Sequence, residues 1–176
     1  VSPNDPIPLE KVAQLSERVG ELKQAIQAST RAAELYIQNQ DVDKAIENWL
    51  RITQLEPDNI AAHSRLAMVH EKLGHIQPAV TEYLSIASLL QRAGQGDKAA
   101  EMIGRALHLM PQSNEARQAL ALLKSGQLLP KPQRSKGATG PLRMAQVREM
   151  RQKTLPKDSG LDPISEARQR ALTRMA

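Results

Sequence analysis

The sequence has no cysteine and no phenylalanine, and its only large aromatic residues are Tyr36, Trp49 and Tyr83. Without cysteine there is no disulfide framework, thiolate nucleophile or cysteine-ligated zinc site. The scarcity of aromatic side chains argues against β-sandwiches and β-barrels, which rely on aromatic and β-branched residues. No apolar run approaches the ~20 residues of a membrane-spanning helix, and the start does not resemble a signal peptide. We therefore expect a cytoplasmic protein.

The residues that are abundant are Ala, Leu, Gln, Glu and Arg, which favour helices and predict an all-α fold. The net charge of +5 is unevenly distributed. Residues 1–128 hold 13 Lys and Arg against 15 Asp and Glu, a net charge of −2, whereas residues 129–176 hold 11 against 4, a net charge of +7. Pro and Gly are frequent between Gly126 and Pro141, which prevents regular structure in that stretch. We predict a folded part at 1–125 and a basic extension at 126–176.

A self-similar pattern with a period of 34 residues runs through the predicted folded part. Small and bulky residues recur in matched places: Ala33 and Ala67, Tyr36 and His70, Ala45 and Ala79, Trp49 and Tyr83. Small residues let two helices pack closely, and bulky residues fill the gaps between them. The pattern therefore predicts two helices in each repeating unit.

This pattern resembles the tetratricopeptide repeat family, whose motif is W-x2-L-G-x2-Y…A-x3-F…P. The first unit reads Ser29-x2-Ala32-Ala33-x2-Tyr36, Ala45-x3-Trp49 and Pro57. The second reads His63-x2-Leu66-Ala67-x2-His70, Gly74 in the turn and Ala79-x3-Tyr83, with Gln91 in place of the closing proline. The third reads Ala100-x2-Ile103-Gly104-x2-Leu107 and Ala116-x3-Leu120. The resemblance covers about residues 26–125 and implies a solenoid of about three helical hairpins, at 26–59, 60–93 and 97–125.

The third unit also fits the motif in another register, through Ala87, Leu90, Ala99, Ile103 and Pro111. In that register the helix 76–93 would be a first helix and 97–109 a second. We take 97–109 as the first helix and 113–124 as its partner, because first and second helices must alternate along the chain. The full set of predicted helices is 8–24, 26–39, 42–55, 60–73, 76–93, 97–109 and 113–124.

Local signals mark the ends of these helices. Gly74 and Gly94 are expected to end helices in the left-handed conformation, whereas Asp58-Asn59 and Asp97 are expected to cap helix starts. A short apolar stripe begins in the segment 1–25 and comprises Val12, Leu15, Val19, Leu22 and Ile26. It indicates either a helix that caps the array or one helix from Pro8 to Gln38 that forms a dimerising coil, interrupted only by Gly20.

The resemblance implies that the first helix of each pair lines a groove that binds a partner segment. The candidate groove residues are Gln27, Thr30, Arg31, Glu34, Gln38, Ser64, Arg65, Met68 and Lys72. Arg31 and Arg65 lie one period apart, so two guanidinium groups at matched heights would hold carboxylates or a peptide backbone. The alternative is that they pair locally with Glu34 or Glu71.

No arrangement of residues typical of an enzyme is present. His63 and His70 lie two turns apart on one helix, roughly 10 Å by the helical rise, which is too far for a single metal ion. Gly94-Gln95-Gly96 is not followed by Lys and therefore is not a phosphate-binding loop, and there is no G-x-S-x-G elbow. The sequence predicts a protein that is not an enzyme and has no cofactor or metal.

The basic extension contains two amphipathic segments, 141–153 and 162–175, which we expect to fold on a partner. The expected tail contacts are Lys131, Arg134, Lys136, Leu142, Arg143, Met144, Val147, Arg148, Met150, Arg151, Lys153, Ile164 and Leu172. A protein partner, acidic where it meets the tail, fits these segments best, and we expect a scaffold, an adaptor or an accessory subunit of a larger assembly. The alternative is nucleic acid bound through its phosphates; the tail has no aromatic residue to stack on single-stranded bases.

Overall fold

The computed structural model describes residues 5–131, and this part of the chain is all-α, with no strand. Its seven helices are α1 (Ile7–Arg18), α2 (Leu22–Gln38), α3 (Val42–Leu55), α4 (Ile60–Lys72), α5 (Ile76–Arg92), α6 (Gly96–Leu109) and α7 (Asn114–Lys124). The prediction of an all-α fold built from helical hairpins is confirmed. The two amphipathic segments predicted in the tail lie outside the described residues. None of the helices in 5–131 is both long and apolar enough to span a membrane.

Four tight connections share one backbone geometry. They follow α1, α2, α4 and α5, and in each a residue with positive φ lies just after the helix: Gly20, Gln40, Gly74 and Gly94. The N–H of the next residue then bonds back to a carbonyl in the last turn of the helix, as in Glu21 to Ser16 at 2.8 Å. This 6→1 bond is the Schellman end of a helix. It confirms the left-handed conformation predicted at Gly74 and Gly94.

The turn at Gly20 separates α1 from α2, so the continuous helix considered from Pro8 to Gln38 is wrong, and the first helix ends at Arg18 rather than at residue 24. Only glycine enters the left-handed region without steric cost.

The connections after α3 and α6 are of a second kind. Each contains a proline, Pro57 or Pro111, and ends in a side-chain cap. Asn59 accepts a hydrogen bond from the Ala62 N–H at 2.9 Å, which confirms the predicted cap. Ser113 does the same for Ala116 at 3.2 Å. The cap predicted at Asp97 is wrong, because α6 already begins at Gly96 and Asp97 lies in its first turn without a capping bond.

These two kinds of turn reveal a three-helix unit that the 34-residue period does not describe. α2 begins at Leu22 and α5 at Ile76, and α3 begins at Val42 and α6 at Gly96, so both pairs are offset by 54 residues. α2 and α5 each have 17 residues, and α3 and α6 each have 14. The helices α1–α3 therefore correspond to α4–α6, and α7 begins the same pattern again.

Polar contacts repeat with the same offset. Nε of Arg51 on α3 lies 3.9 Å from the Glu17 carboxylate at the end of α1. At the positions 54 residues later, Arg105 on α6 lies over the ring of Tyr83, whose hydroxyl donates to Glu71 at the end of α4.

The core consists of two apolar clusters. One joins α2, α3 and α4 around Trp49 and Ile52, and the other surrounds α5. α5 is the central helix, with eleven buried residues, and packs extensively against both α4 and α6. All eight residues matched at the 34-residue period are buried, so small and bulky residues occupy the interior as the pattern predicted. Because α6 also packs against α7, both registers considered for the third unit have contacts that support them, and the assignment of 97–125 as one repeat stays a prediction.

Candidate partner-binding surface

The predicted groove residues lie on α2 and α4, which both pack against α3. Most of their side chains are exposed: Gln27, Arg31, Glu34, Gln38, Arg65, Met68 and Lys72. Thr30 and Ser64 are half-buried, and the Thr30 hydroxyl donates to the Ile26 carbonyl at 2.8 Å within its own helix. These exposed side chains leave the surface accessible to a partner.

The two arginines of this surface do not pair with the local carboxylates considered above. Within residues 5–131, neither Arg31 nor Arg65 forms an ion pair, and Glu71 instead accepts the hydroxyl of Tyr83 at 2.6 Å. The 54-residue offset matches Arg65 to Lys11 on α1 rather than to Arg31. The two arginines are therefore equivalent under the hairpin period but not under the three-helix unit.

A second surface is already occupied by the chain itself. Residues 127–131, which we call the docked segment, leave α7 and pack against α5. Leu129 is 2% exposed and belongs to the cluster around α5. The Gln91 side-chain amide donates to the Gln127 carbonyl at 2.8 Å and accepts from the Leu129 N–H at 2.7 Å. The Ser88 hydroxyl donates to the Leu129 carbonyl at 3.2 Å.

The docked segment ends on the turn between α3 and α4. Nζ of Lys131 donates to the Pro57 carbonyl and to the Asp58 carboxylate, both at 3.0 Å. This contact lowers the pKa of Asp58 below its ordinary value, chiefly through the hydrogen bond from Lys131 and its charge. The packed part of the chain therefore extends past the predicted end of the folded part at Ser125. The other predicted tail contacts, from Arg134 onward, lie outside the described residues.

A buried polar pair lies behind the same turn. Nδ1 of His63 on α4 is 2.6 Å from the Glu82 carboxylate on α5, and His63 and Glu82 are 3% and 4% exposed. His63 Nε2 is 2.9 Å from the Pro57 carbonyl, the oxygen that also accepts from Lys131. A carbonyl only accepts hydrogen bonds, so Nε2 carries the hydrogen. His63 is a packed residue that joins α4, α5 and the turn.

The residues 5–131 contain no group of three or more His, Asp or Glu side chains placed to hold a metal ion. The rings of His70 and His75 are 5.7 Å apart between centroids, which is a ring contact across the Gly74 turn.

The residues that hold the docked segment were not among those predicted from the sequence: Ser88, Gln91 and Leu129. For the pair of His63 and Glu82, one signal was present in the sequence: Glu82 is followed by the uncharged, mostly apolar residues 83–90. A carboxylate inside such a stretch requires a polar partner, which would have pointed to His63. No comparable signal marks Gln91, whose two partners are backbone atoms far along the chain.

No family model matches the chain, and no curated protein matches it. Three solved structures of MamA are similar to it. "MamA AMB-1 P212121" is 15% identical over 69% of this chain and 81% of that chain, with a TM-score of 0.30. "MamA MSR-1 C2" is 15% identical, and the match covers 69% of this chain and 86% of that chain with a TM-score of 0.31. "Crystal structure of MamA protein" is 17% identical, and the match covers 90% of this chain and 98% of that chain with a TM-score of 0.28.

Proposed function

We propose that this chain is a non-enzymatic protein–protein interaction module, a helical-repeat scaffold or adaptor, or an accessory subunit of a larger assembly. The observation that carries the proposal is the docked segment on α5. Ser88 and Gln91 bond the backbone atoms of this segment, and Leu129 fills a buried site. A fold that holds a peptide through its backbone and one apolar side chain has the chemistry needed to bind peptides.

Within this proposal, the exposed surface of α2 and α4 binds a partner segment, and Arg31 and Arg65 contact its carboxylates or carbonyls. Both guanidinium groups are exposed and outside any ion pair among residues 5–131, which supports this role. The basic extension then folds on an acidic surface of a partner. The assignment to the tetratricopeptide repeat family, the absence of enzymatic activity and the cytoplasmic location stay predictions.

Affinity capture from native lysate, read by mass spectrometry, tests these roles separately. The full chain is compared with Arg31→Glu/Arg65→Glu and with a truncation after Lys131, which keeps the docked segment and therefore the core around α5. We expect one set of partners to depend on the two arginines and another on the extension. The matched control is Arg117→Glu/Lys124→Glu, which changes the charge equally on the exposed part of α7.

Capture of the same proteins by all four chains would contradict the proposal. Recovery of RNA or DNA that falls steeply with salt, and is lost on truncation, would favour the nucleic-acid alternative.

A further inference from the structure

One face of α1 is apolar and exposed. Val12, Leu15 and Val19 are 40%, 60% and 71% exposed, and Leu22 at the start of α2 continues the stripe at 46%. We call Val12, Leu15, Val19 and Leu22 the α1 stripe. An exposed apolar stripe on a helix promotes association with another surface. The α1 stripe therefore requires an explanation.

The three-helix unit shows what covers such a face. With the 54-residue offset, Val12 and Leu15 on α1 correspond to Leu66 and Val69 on α4. Leu66 is fully buried and Val69 is half-buried, and both pack in the cluster that contains Ile46, Trp49 and Ile52 of α3. α7, the next helix of this kind, packs in the same way against α6. Each later first helix is thus covered by a third helix, whereas α1 is uncovered among the described residues.

The charge beside the α1 stripe restricts what kind of helix would fit. Lys11 and Arg18 are spaced four and three residues from Leu15, so both lie along one edge of the stripe. Both are exposed, and neither forms an ion pair within residues 5–131. A two-fold antiparallel pairing of two α1 helices would bring this same basic edge of each copy together. Like charges would then oppose each other, which disfavours a second copy as the occupant.

We propose that the α1 stripe is the docking site for an amphipathic α-helix of a partner protein, with an apolar face like that of α3 and acidic residues along one edge. The partner helix takes the place that α3 holds on α4. The α1 stripe contains none of the groove residues on α2 and α4 and none of the docked segment. Its test therefore stands whether or not those surfaces bind a partner.

The probe is a fluorescently labelled peptide of residues 41–57, the α3 helix with its ends, which has four acidic residues and two basic ones. It is titrated into the full-length protein and followed by anisotropy. We expect saturation at one peptide per chain. Leu15→Glu should weaken the affinity at least about tenfold, because burial of a Leu side chain contributes more than a tenfold change in the dissociation constant. Lys11→Glu/Arg18→Glu should also weaken binding and remove its dependence on salt.

The matched control is Ile37→Glu, an apolar-to-acidic change on α2 at a side chain that is 39% exposed. It should leave peptide affinity unchanged. If Leu15→Glu alters the circular dichroism spectrum, the reversal of Lys11 and Arg18 decides the outcome, since both side chains are exposed. Absence of binding, or equal binding by the wild type and both α1 variants, would overturn the proposal. So would a concentration-dependent dimer in sedimentation that Leu15→Glu dissociates, because a second copy would then cover the stripe.

Discussion

His63 on α4 and Glu82 on α5 lie 2.6 Å apart, measured from Nδ1 to Oε2, and both side chains are almost completely buried. Because Nε2 of His63 donates to the Pro57 carbonyl, one further proton lies between Nδ1 and the carboxylate. Removing one partner leaves the facing atom of the other, Nδ1 of His63 or Oε2 of Glu82, without this hydrogen bond in the interior, which destabilises the fold.

We therefore expect Glu82→Leu to lower the free energy of unfolding by about 1–3 kcal/mol. The double variant His63→Leu/Glu82→Leu should lose less stability than the sum of the two single variants, because each single variant already removes the one hydrogen bond that the two side chains share. Denaturant unfolding of the four proteins measures this coupling. The control Glu101→Leu, on the exposed part of α6, should change stability by no more than about 0.5 kcal/mol. Additive losses would show that the two side chains are not coupled.

Gln91 holds the docked segment through two hydrogen bonds, so Gln91→Ala should release it locally. At about 1 kcal/mol for each bond, we expect the Leu129 amide to exchange with solvent at least about tenfold faster, as measured by hydrogen exchange. Global unfolding should change less than in a core variant, since the free energy lost cannot exceed that of docking the segment. Gln77→Ala, at an exposed position of α5, is the control. Unchanged exchange at Leu129 would mean that the amide does not hold the segment.

The contact between Lys131 and Asp58 makes docking of the segment depend on pH. The pKa of Asp58 is lowered from its ordinary value of 3.8, so the stabilisation is present above that value and is lost as the pH falls through the folded pKa. Lys131→Met should return the pKa of Asp58 towards its ordinary value, as followed by NMR titration of the carboxyl group. The control Lys98→Met, at an exposed position of α6, should leave the pKa of Asp58 unchanged. An Asp58 titration that is the same in both variants would rule out the contact.

Tyr36 links α2 to α1 by donating a hydrogen bond to Glu10 at 2.8 Å. Its pKa is raised well above the ordinary 10.0, first by burial and then by this hydrogen bond and the charge of Glu10. The stabilisation is present below pH 10 and is lost as the pH rises through the folded pKa. Glu10→Gln should lower the pKa of Tyr36 but leave it above 10.0, because burial remains.

Alkaline titration of tyrosinate absorbance in a Tyr83→Phe background, where Tyr36 is the only tyrosine, measures this change. Glu34→Gln, at an exposed position of α2, is the control. A titration midpoint that does not change in Glu10→Gln would contradict the link.

Gln40 has a φ of 62°, and it is the only non-glycine residue with positive φ among the described residues. A side chain in the left-handed region costs about 1–2 kcal/mol, which glycine avoids at some cost in entropy. We expect Gln40→Gly to raise the free energy of unfolding by about 0.5–1 kcal/mol. Asn39→Gly, at a neighbouring residue with a φ of −83°, should instead lower it. The free energies are measured by denaturant unfolding. If Gln40→Gly lowers the free energy of unfolding as Asn39→Gly does, the Gln40 side chain makes a compensating contact.

Much of this fold could be predicted because its signals are local. The helices follow from helix-forming composition and from turns that glycine, proline and Asn59 mark within a few residues. The small and bulky residues of the 34-residue period indicated which positions are buried. The same period obscured the three-helix unit, because α5 packs as a partner of both α4 and α6, and either pairing satisfies the motif.

The sequence by itself thus determined that seven helices form between residues 7 and 124, most of their turns, and the alternation of small and bulky residues that packs them. Only the tertiary structure decided that Leu129 is buried, that Gln91 bonds the backbone of residues 127 and 129, and that His63 faces Glu82. Those contacts join residues 19 to 41 positions apart. Their formation depends on how the helices stack, because a polar side chain on a helix meets its partner only after packing brings the two together.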